Sequence, residues 1–243
     1  QVFCYVYDAR GYLNQLIEGI AGAADPCSAP GALVTSYSFD TLGRRVEVTN
    51  TQGVRTRYFY LDGDEKANKT VYNYDPARGD YEEGIYNRAE LSVYDGAGRQ
   101  TVLVRNAISG DLNGDGTVTP ALTIDFDGDG IADYELEIDP DQPGYNQIEQ
   151  TGYDAAGRVI ETVENAWPGQ PAFYLDQYNV ASRMVYDRAG HAVATIQNFT
   201  DADLLTPDGQ PNGYLPEDYD FDGDGVTDVS LEVAPDHPDV NLI

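Results

Sequence analysis

The chain has 243 residues, and its 42 acidic and 14 basic side chains give a formal net charge of −28 at pH 7. So acidic a surface would be repelled by a phosphate backbone, which argues against nucleic acid or an anionic membrane as a partner. Nineteen tyrosines against one methionine and one tryptophan favour an extracellular all-β protein over a helical cytosolic enzyme. No apolar run is long enough to span a bilayer, so we expect no membrane insertion.

The two cysteines lie near the start of the chain, Cys4 in the first predicted strand and Cys27 in an irregular stretch rich in Ala, Gly and Pro. An even count is compatible with one disulfide, which would close a loop of roughly twenty residues and contribute about 3 kcal/mol. The sequence leaves both the bonded and the free form open.

A six-residue pattern occurs five times: an aromatic residue, Asp, two variable residues, Gly, and then a basic or aromatic residue. Its aromatic, Asp and Gly positions are Tyr7, Asp8 and Gly11; Phe39, Asp40 and Gly43; Tyr94, Asp95 and Gly98; Tyr153, Asp154 and Gly157; and Tyr186, Asp187 and Gly190. Asp can bond its own backbone two residues on, and Gly adopts positive φ, so each copy predicts a hairpin turn. The alternating, β-branched runs that follow, such as residues 158–165, predict half-buried strands.

These five turns resemble the YD repeat family, also called the Rhs repeat family, whose consensus hairpin is Tyr-Asp-x-x-Gly-Arg followed by a strand. The resemblance implies hairpins stacked side by side in a continuous spiralling sheet, as in shells around toxins and in cores of large extracellular adhesion proteins. The spacing between the turn aspartates departs from the family, because it is irregular at 32, 55, 59 and 33 residues. A Pro-rich shell-closing segment and a C-terminal toxin domain are also not visible in the sequence.

A longer period lies over the short one, since the segment 94–148 has a recognisable second copy at 186–243. Both copies open with the hairpin pattern and reach the sequence Asp-Phe-Asp-Gly-Asp-Gly, at Asp125 and at Asp220. We predict four sections, in which units with acidic loops alternate with shorter ones: residues 1–93, 94–152, 153–185 and 186–243.

The two acidic loops place carboxylates at positions one, three, five and nine, with Gly at position six. A hard cation binds six to eight oxygens, so this spacing predicts Ca²⁺, with a backbone carbonyl at position seven as a further ligand. The predicted ligands are Asp125, Asp127, Asp129, Ile131 (carbonyl) and Asp133, and in the second loop Asp220, Asp222, Asp224, Val226 (carbonyl) and Asp228. The loops resemble those of thrombospondin type 3 and integrin-type propeller repeats. The alternative is an Asp-Gly-rich turn without an ion, which the mutual repulsion of four carboxylates disfavours.

A third loop resembles the first nine positions of the dockerin calcium loop, with Asp111, Asn113, Asp115 and Thr117 as its predicted ligands. Leu122 stands at its twelfth position, so we expect Asp125 to complete the shell. Glu137 and Glu232 lie just beyond the twelfth position of the other two loops, where we expect them to face away or to cap the site. For the Asp111 loop, a turn without an ion stays open as the alternative.

The sequence predicts no enzyme, because neither histidine has a recurring Ser or Cys nucleophile beside it and no phosphate loop or zinc spacing occurs. Our first hypothesis is an extracellular structural repeat protein that calcium stiffens and that forms or belongs to a long fibre. Residues 1–6 and 240–243 would continue one repeat into the next, head to tail. The alternative is an adhesin that binds a glycan or a protein at a cell surface, and a third, less favoured, is a fragment of a toxin-encasing shell.

Overall fold

The structure is a computed structural model that describes residues 2–79, 85–170, 177–199, 217–232 and 241–242. Every regular element in these ranges is a β-strand, and they contain no helix that is long and apolar enough to cross a membrane. The strands are β1 Val2–Tyr7, β2 Leu13–Gly19, β3 Leu33–Phe39, β4 Arg45–Thr49, β5 Arg55–Phe59, β6 Lys69–Tyr72, β7 Arg88–Tyr94, β8 Gln100–Arg105, β9 Leu122–Ile124, β10 Tyr134–Leu136, β11 Gln147–Tyr153, β12 Val159–Glu164, β13 Val180–Tyr186, β14 Ala192–Gln197, β15 Glu217–Tyr219 and β16 Val229–Leu231.

Twelve of these strands form one sheet in the order β1-β2-β3-β4-β5-β6-β7-β8-β11-β12-β13-β14. Neighbours in the sheet therefore follow one another in the chain, apart from the insertion between β8 and β11. The strand pairs β9–β10 and β15–β16 form separate two-stranded hairpins, and each of these hairpins is closed by one of the acidic loops. The predicted all-β fold of stacked hairpins with inserted acidic loops is confirmed.

The chain divides into two compact units, residues 1–93 with 104–146 and residues 94–103 with 147–243. In each unit the connections alternate between the two ends of the strands. At one end, here called the turn end, lie the five motif turns and the connection 60–68. At the opposite end, here called the loop end, lie the connections 20–32, 50–54 and 106–146. The described ends of three further connections also lie there, namely 73–79 with 85–87, 165–170 with 177–179, and 198–199 with 241. The four predicted sections stay predictions.

The first unit buries apolar residues on one face of β6 and β7. Val71 pairs with Ala89 and both are 3 % exposed, while Leu91 is fully buried. The Lys69 ammonium, which shares this face, lies 5.3 Å from the ring centroid of Tyr134 on β10. The β9–β10 hairpin therefore lies beside this face of the sheet.

The second unit repeats this arrangement with β13, β14 and the β15–β16 hairpin. Its buried cluster consists of Ala181, Val185, Ile196, Phe199, Val229 and Leu231. The side chains of β16 alternate between buried and exposed, so Val229 and Leu231 point into the cluster while Ser230 points away from it. Each acidic-loop hairpin is thus held by apolar burial on its own unit.

At the N-terminal end of the sheet, Cys4 and Cys27 are joined by a disulfide with a Cα–Cα distance of 6.2 Å. The bond ties the edge strand β1 to the connection 20–32. The same connection is held by the amide of Ile20, which donates to the Pro26 carbonyl at 2.9 Å.

Candidate functional site: turn ladder and acidic loops

Each motif turn is organised by its aspartate. In the second turn, Asp40 Oδ1 accepts the amides of Leu42 and Arg44, both at 2.9 Å, and Oδ2 accepts Arg44 Nε at 2.7 Å. Equivalent bonds to the residue four places on occur at Asp8, Asp95, Asp154 and Asp187. The turn glycines adopt positive φ as predicted, at Gly11 (88°), Gly43 (83°), Gly98 (74°), Gly157 (85°) and Gly190 (91°).

These hydrogen bonds lower the pKa of every turn aspartate. The amide of Arg99 is the largest cause of the lowered pKa of Asp95, and the amide of Arg158 has the same effect on the pKa of Asp154. At Asp40, desolvation is the largest single influence and raises the pKa, but the hydrogen bonds and charge of Arg44 together outweigh it. The carboxylates are therefore held in their charged form.

The motif arginines and aromatics link successive turns into what we call the turn ladder. The guanidinium of Arg158 lies 4.2 Å from the ring centroid of Tyr186 in the next turn, and the hydroxyl of Tyr186 donates to the Val159 carbonyl at 2.8 Å. Arg99 and Tyr153 repeat both contacts, at 4.6 Å and 2.9 Å. Tyr153 and Tyr186 are thus packed rungs with satisfied hydroxyls, each held by the arginine of the preceding turn.

A further turn of this geometry was not predicted from the sequence. Asn50 takes the place of the aspartate, since its Oδ1 accepts the amides of Gln52 and Val54 at 2.9 and 3.0 Å. Gly53 has φ 81°. The sequence signal for this turn is Asn-x-x-Gly, without the aromatic residue that precedes the aspartate in the five motif turns.

Sequence reasoning also missed paired asparagines at the loop end. Eight of them have φ between 45° and 55°, namely Asn73, Asn87, Asn106, Asn146, Asn165, Asn179, Asn198 and Asn241. In each pair the amide of the second asparagine donates to the carbonyl of the first, as from Asn146 to Asn106 at 3.2 Å. The second side chain is buried in three of the four pairs and bonds the backbone of the connection that it closes. We call this arrangement the asparagine clamp.

The two acidic loops have the same internal hydrogen bonds. Asp125 accepts the amides of Gly128 and Gly130 at 2.7 and 2.9 Å, and Asp133 Oδ2 accepts the amide of Phe126 at 2.8 Å. In the second loop, Asp220 accepts the amides of Gly223 and Gly225, both at 2.7 Å. Asp228 Oδ2 accepts the amide of Phe221 at 2.8 Å. The backbone amides therefore hold the first carboxylate of each loop towards its centre.

Carboxylate oxygens converge in both loops. Asp125, Asp127 and Asp133 place one oxygen each within 4.8 Å of one another, as do Asp220, Asp222 and Asp224. Of the other predicted ligands, Asp129 Oδ1 accepts the Ile131 amide at 2.7 Å. The side chains of Ile131 and Val226 are 71 % and 42 % exposed, which suits residues predicted to offer only a backbone oxygen. Each cluster presents the hard oxygen donors that can hold a metal ion.

Electrostatics differ between individual carboxylates of the clusters. The Gly130 and Gly225 amides are the largest causes of the lowered pKa values of Asp125 and Asp220. The pKa of Asp222 is raised, because desolvation and the charges of Asp224 and Asp228 outweigh the hydrogen bond from the Asp224 amide. The charge of the second cluster is partly offset by Arg188, whose Nη1 lies 3.3 Å from Asp224 Oδ2.

The Asp111 loop follows the same template, with Asp111 accepting the amides of Gly114 and Gly116 at 2.7 and 2.8 Å. The outside carboxylate that reaches it is Glu137, not the expected Asp125. Glu137 is 4 % exposed, and its Oε2 accepts the Leu112 amide at 2.9 Å. Glu137 thus follows one acidic loop in sequence but ties β10 to the other loop. Asp125 was expected to complete the Asp111 loop because it follows that loop in sequence, but its carboxylate accepts backbone amides of its own loop.

His191 replaces the motif arginine in the last turn, with its Nδ1 2.9 Å from Asp187 Oδ2. It keeps the bond to the aspartate, while its shorter side chain is 78 % exposed. His237 lies outside the described residues.

No family model and no curated protein matches the chain. Among solved structures it is similar to TcdB2-TccC3 without its hypervariable C-terminal region, with 14 % identity and a TM-score of 0.48 over 80 % of this chain and 8 % of that chain. It is also similar to TcdB2-TccC3-TEV, at 13 % identity and a TM-score of 0.41, covering 88 % of this chain and 10 % of that one. A third similar structure is a Photorhabdus luminescens Tc holotoxin pore, at 11 % identity and a TM-score of 0.31, covering 77 % of this chain and 8 % of that one. The chain thus spans a tenth or less of these chains, and with TM-scores under 0.5 no function is transferred from them.

Proposed function

We propose that the chain is a non-catalytic, extracellular repeat section that calcium stiffens and that continues into a longer fibre. The observation that carries this proposal is the convergence of three carboxylates in each acidic loop. Each loop joins the two strands of a hairpin that packs on the sheet of its own unit, so an ion there would stiffen the attached repeat. The disulfide between Cys4 and Cys27 supports an oxidising, extracellular location.

Calcium is the cation that best suits these loops. All the predicted side-chain ligands in these two loops are carboxylates. Ca²⁺ takes six to eight oxygen ligands at about 2.3–2.6 Å in a flexible geometry, which suits such a loop better than the strictly octahedral geometry of the smaller Mg²⁺. Without a cation, the like charges of the clustered aspartates destabilise the loop, in line with the raised pKa of Asp222.

Continuation of the sheet is supported by its two ends in the strand order. β1 and β14 are the terminal strands, so of the described strands only β2 pairs with β1. On the outer side of β14, Leu242 exchanges two backbone hydrogen bonds with Gln197, at 2.7 and 3.0 Å. Leu242 follows Asn241 as Gln147 at the start of β11 follows Asn146, so it stands where a further strand begins. Strand edges with unpaired backbone groups accept another strand, which in a heterologous contact gives an open filament.

Calcium removal is the direct test of the proposed function. A ligand at a hundredfold excess over its Kd stabilises the folded state by about 2.7 kcal/mol per site, so chelation should lower the melting temperature clearly. Asp127→Ala and Asp222→Ala should each remove one site in isothermal titration calorimetry and leave the other intact.

The matched control is Asp62→Ala, which removes an acid outside all three loops and should leave the calcium stoichiometry unchanged. Mg²⁺ at the same concentration should stabilise the chain less than Ca²⁺ does. A melting temperature that is the same in Ca²⁺ and in chelator would refute the proposal. Light scattering or negative-stain microscopy then tests assembly, for which end-to-end oligomers are expected.

A further inference from the structure

We propose that a depression on the sheet of the first unit binds a sugar ring that carries a carboxylate. The depression has a volume of about 420 Å³ and is lined by Leu13, Tyr37, Phe39, Gly43, Arg45 and Tyr60. It lies near the turn end of β2, β3 and β4, whereas the acidic loop of this unit belongs to a connection at the loop end. The inference does not rest on calcium binding.

Three of the six residues that line the depression are aromatic, and contacts hold the rings of Phe39 and Tyr60 in place. Phe39 stacks on Tyr12 with ring centroids 5.0 Å apart. Tyr60 is held by the Arg44 guanidinium at 4.6 Å from its centroid and by its hydroxyl, which donates to the Arg45 carbonyl at 2.8 Å. Binding on rings that are already ordered loses little side-chain entropy. Tyr12 and Arg44 each cover one face of these two rings, and the ring surface that lines the depression suits the apolar C–H face of a sugar ring.

Arg45 supplies the charge that selects the ligand. It is exposed at the rim, and among the described residues no carboxylate forms an ion pair with it, although the chain has 42 acidic and only 14 basic side chains. Its guanidinium lies 5.1 Å from the ring centroid of Tyr58. The fork of a guanidinium matches a carboxylate with two parallel hydrogen bonds.

The size of the depression limits the ligand to a small one. Ligand pockets have volumes of about 300–1,000 Å³, and 420 Å³ lies at the lower end of that range. A sugar ring with one carboxylate would place its apolar face against the aromatic rings and its carboxylate on Arg45, which forms no ion pair among the described residues. Such a ring is the uronic acid unit of an acidic glycan. The net charge of −28 repels such a ligand at long range, so the local contact with Arg45 has to hold it.

The test uses the full chain in calcium buffer, with tri-galacturonate and the same trimer with its carboxyls reduced as probes. We expect saturable binding of tri-galacturonate, with NMR shifts at the Arg45 side chain and the Tyr37 ring, and much weaker binding of the reduced trimer. Arg45→Gln should weaken binding by about tenfold or more, the usual cost of a lost charge-assisted bond.

Arg55→Gln is the matched control, because Arg55 also lacks a carboxylate partner among the described residues but contacts Tyr74 outside the depression. It changes the net charge by the same amount and should leave binding unchanged. The inference is overturned by no saturable binding, by equal binding of the reduced trimer, or by equal loss in both arginine variants. Loss of binding in Asp127→Ala but not in Arg45→Gln would place the sugar on a calcium ion instead and would also overturn it.

Discussion

Arg188 should compete with calcium for the second acidic loop, and its removal should tighten calcium binding there. Its guanidinium lies 3.3 Å from Asp224 Oδ2, with side chains 73 % and 30 % exposed. Two unit charges at 3.3 Å in water interact by about 1.3 kcal/mol. Exposed ion pairs retain about 0.2–1 kcal/mol of this after screening and side-chain ordering. Arg188→Gln should therefore lower the calcium Kd of this loop by roughly 1.4- to fivefold.

The measurement is isothermal titration calorimetry at low ionic strength, in an Asp127→Ala background that leaves the second loop to report alone. The first loop serves as the internal control, because Gly96 stands at the matching position of its repeat. Arg188→Gln in an Asp222→Ala background should leave calcium binding at the first loop unchanged. The gain at the second loop should shrink as salt rises. An unchanged or weaker affinity, or an equal gain at the first loop, would refute the competition.

Three further predictions concern the turns and the clamp. Gly11→Ala should cost about 1–2 kcal/mol because of its φ of 88°. In urea unfolding, Gly43→Ala should cost about 0.5–1.5 kcal/mol more than Gly11→Ala, because its Cβ would displace the Tyr12 hydroxyl and disturb the stack on Phe39. In a Tyr12→Ala background, the difference between the two glycine variants should vanish. The depressed pKa values of the turn aspartates stabilise the fold above the unfolded value, so stability should fall as the pH drops below about 4, and a pH-independent melting temperature from 6 to 3 would contradict this. Asn146→Ala should lower the free energy of unfolding by about 2–4 kcal/mol in denaturant melts, because it leaves buried backbone groups of Ile108 and Glu137 without their hydrogen bonds. Asn106→Ala removes one exposed side-chain bond and should cost less. An equal loss in both variants would argue against a special role of the buried asparagine.

The turn end of the fold could be predicted because its contacts are local. Asp40 bonds residues two and four places on, and Gly43 supplies the positive φ, so six consecutive residues carry the whole turn. The strands followed from alternation for the same reason. The carboxylates of the acidic loops converge within nine residues, so their grouping was also visible in the sequence.

The asparagine clamps of the loop end could not be predicted, because their contacts have no fixed spacing. Asn179 bonds Trp167 across 12 residues, whereas Asn146 reaches Ile108 across 38. The hydrogen bond from the Leu112 amide to Glu137, across 25 residues, is a further contact without a fixed spacing. Such partners depend on how each connection folds back, which a pattern of short period does not encode.

The asparagine clamp accounts for the irregular spacing of the motif turns. In each clamped connection, a backbone hydrogen bond joins the first asparagine to the second. The pairing of the strands therefore does not depend on the number of residues between the two asparagines. The connection 73–87 and the much longer 106–146 end in the same way, with bonds of 3.2 Å at both clamps.

The spacing of 59 residues between Asp95 and Asp154 thus contains one hairpin step and one inserted module. The spacing of 55 between Asp40 and Asp95 has another cause, since it spans two steps, the turn between them being the motif-free connection 60–68. Insertions at the loop end leave intact the contacts between each motif arginine and the next turn. The acidic-loop modules therefore lie where the repeat can accept them without breaking its own continuity.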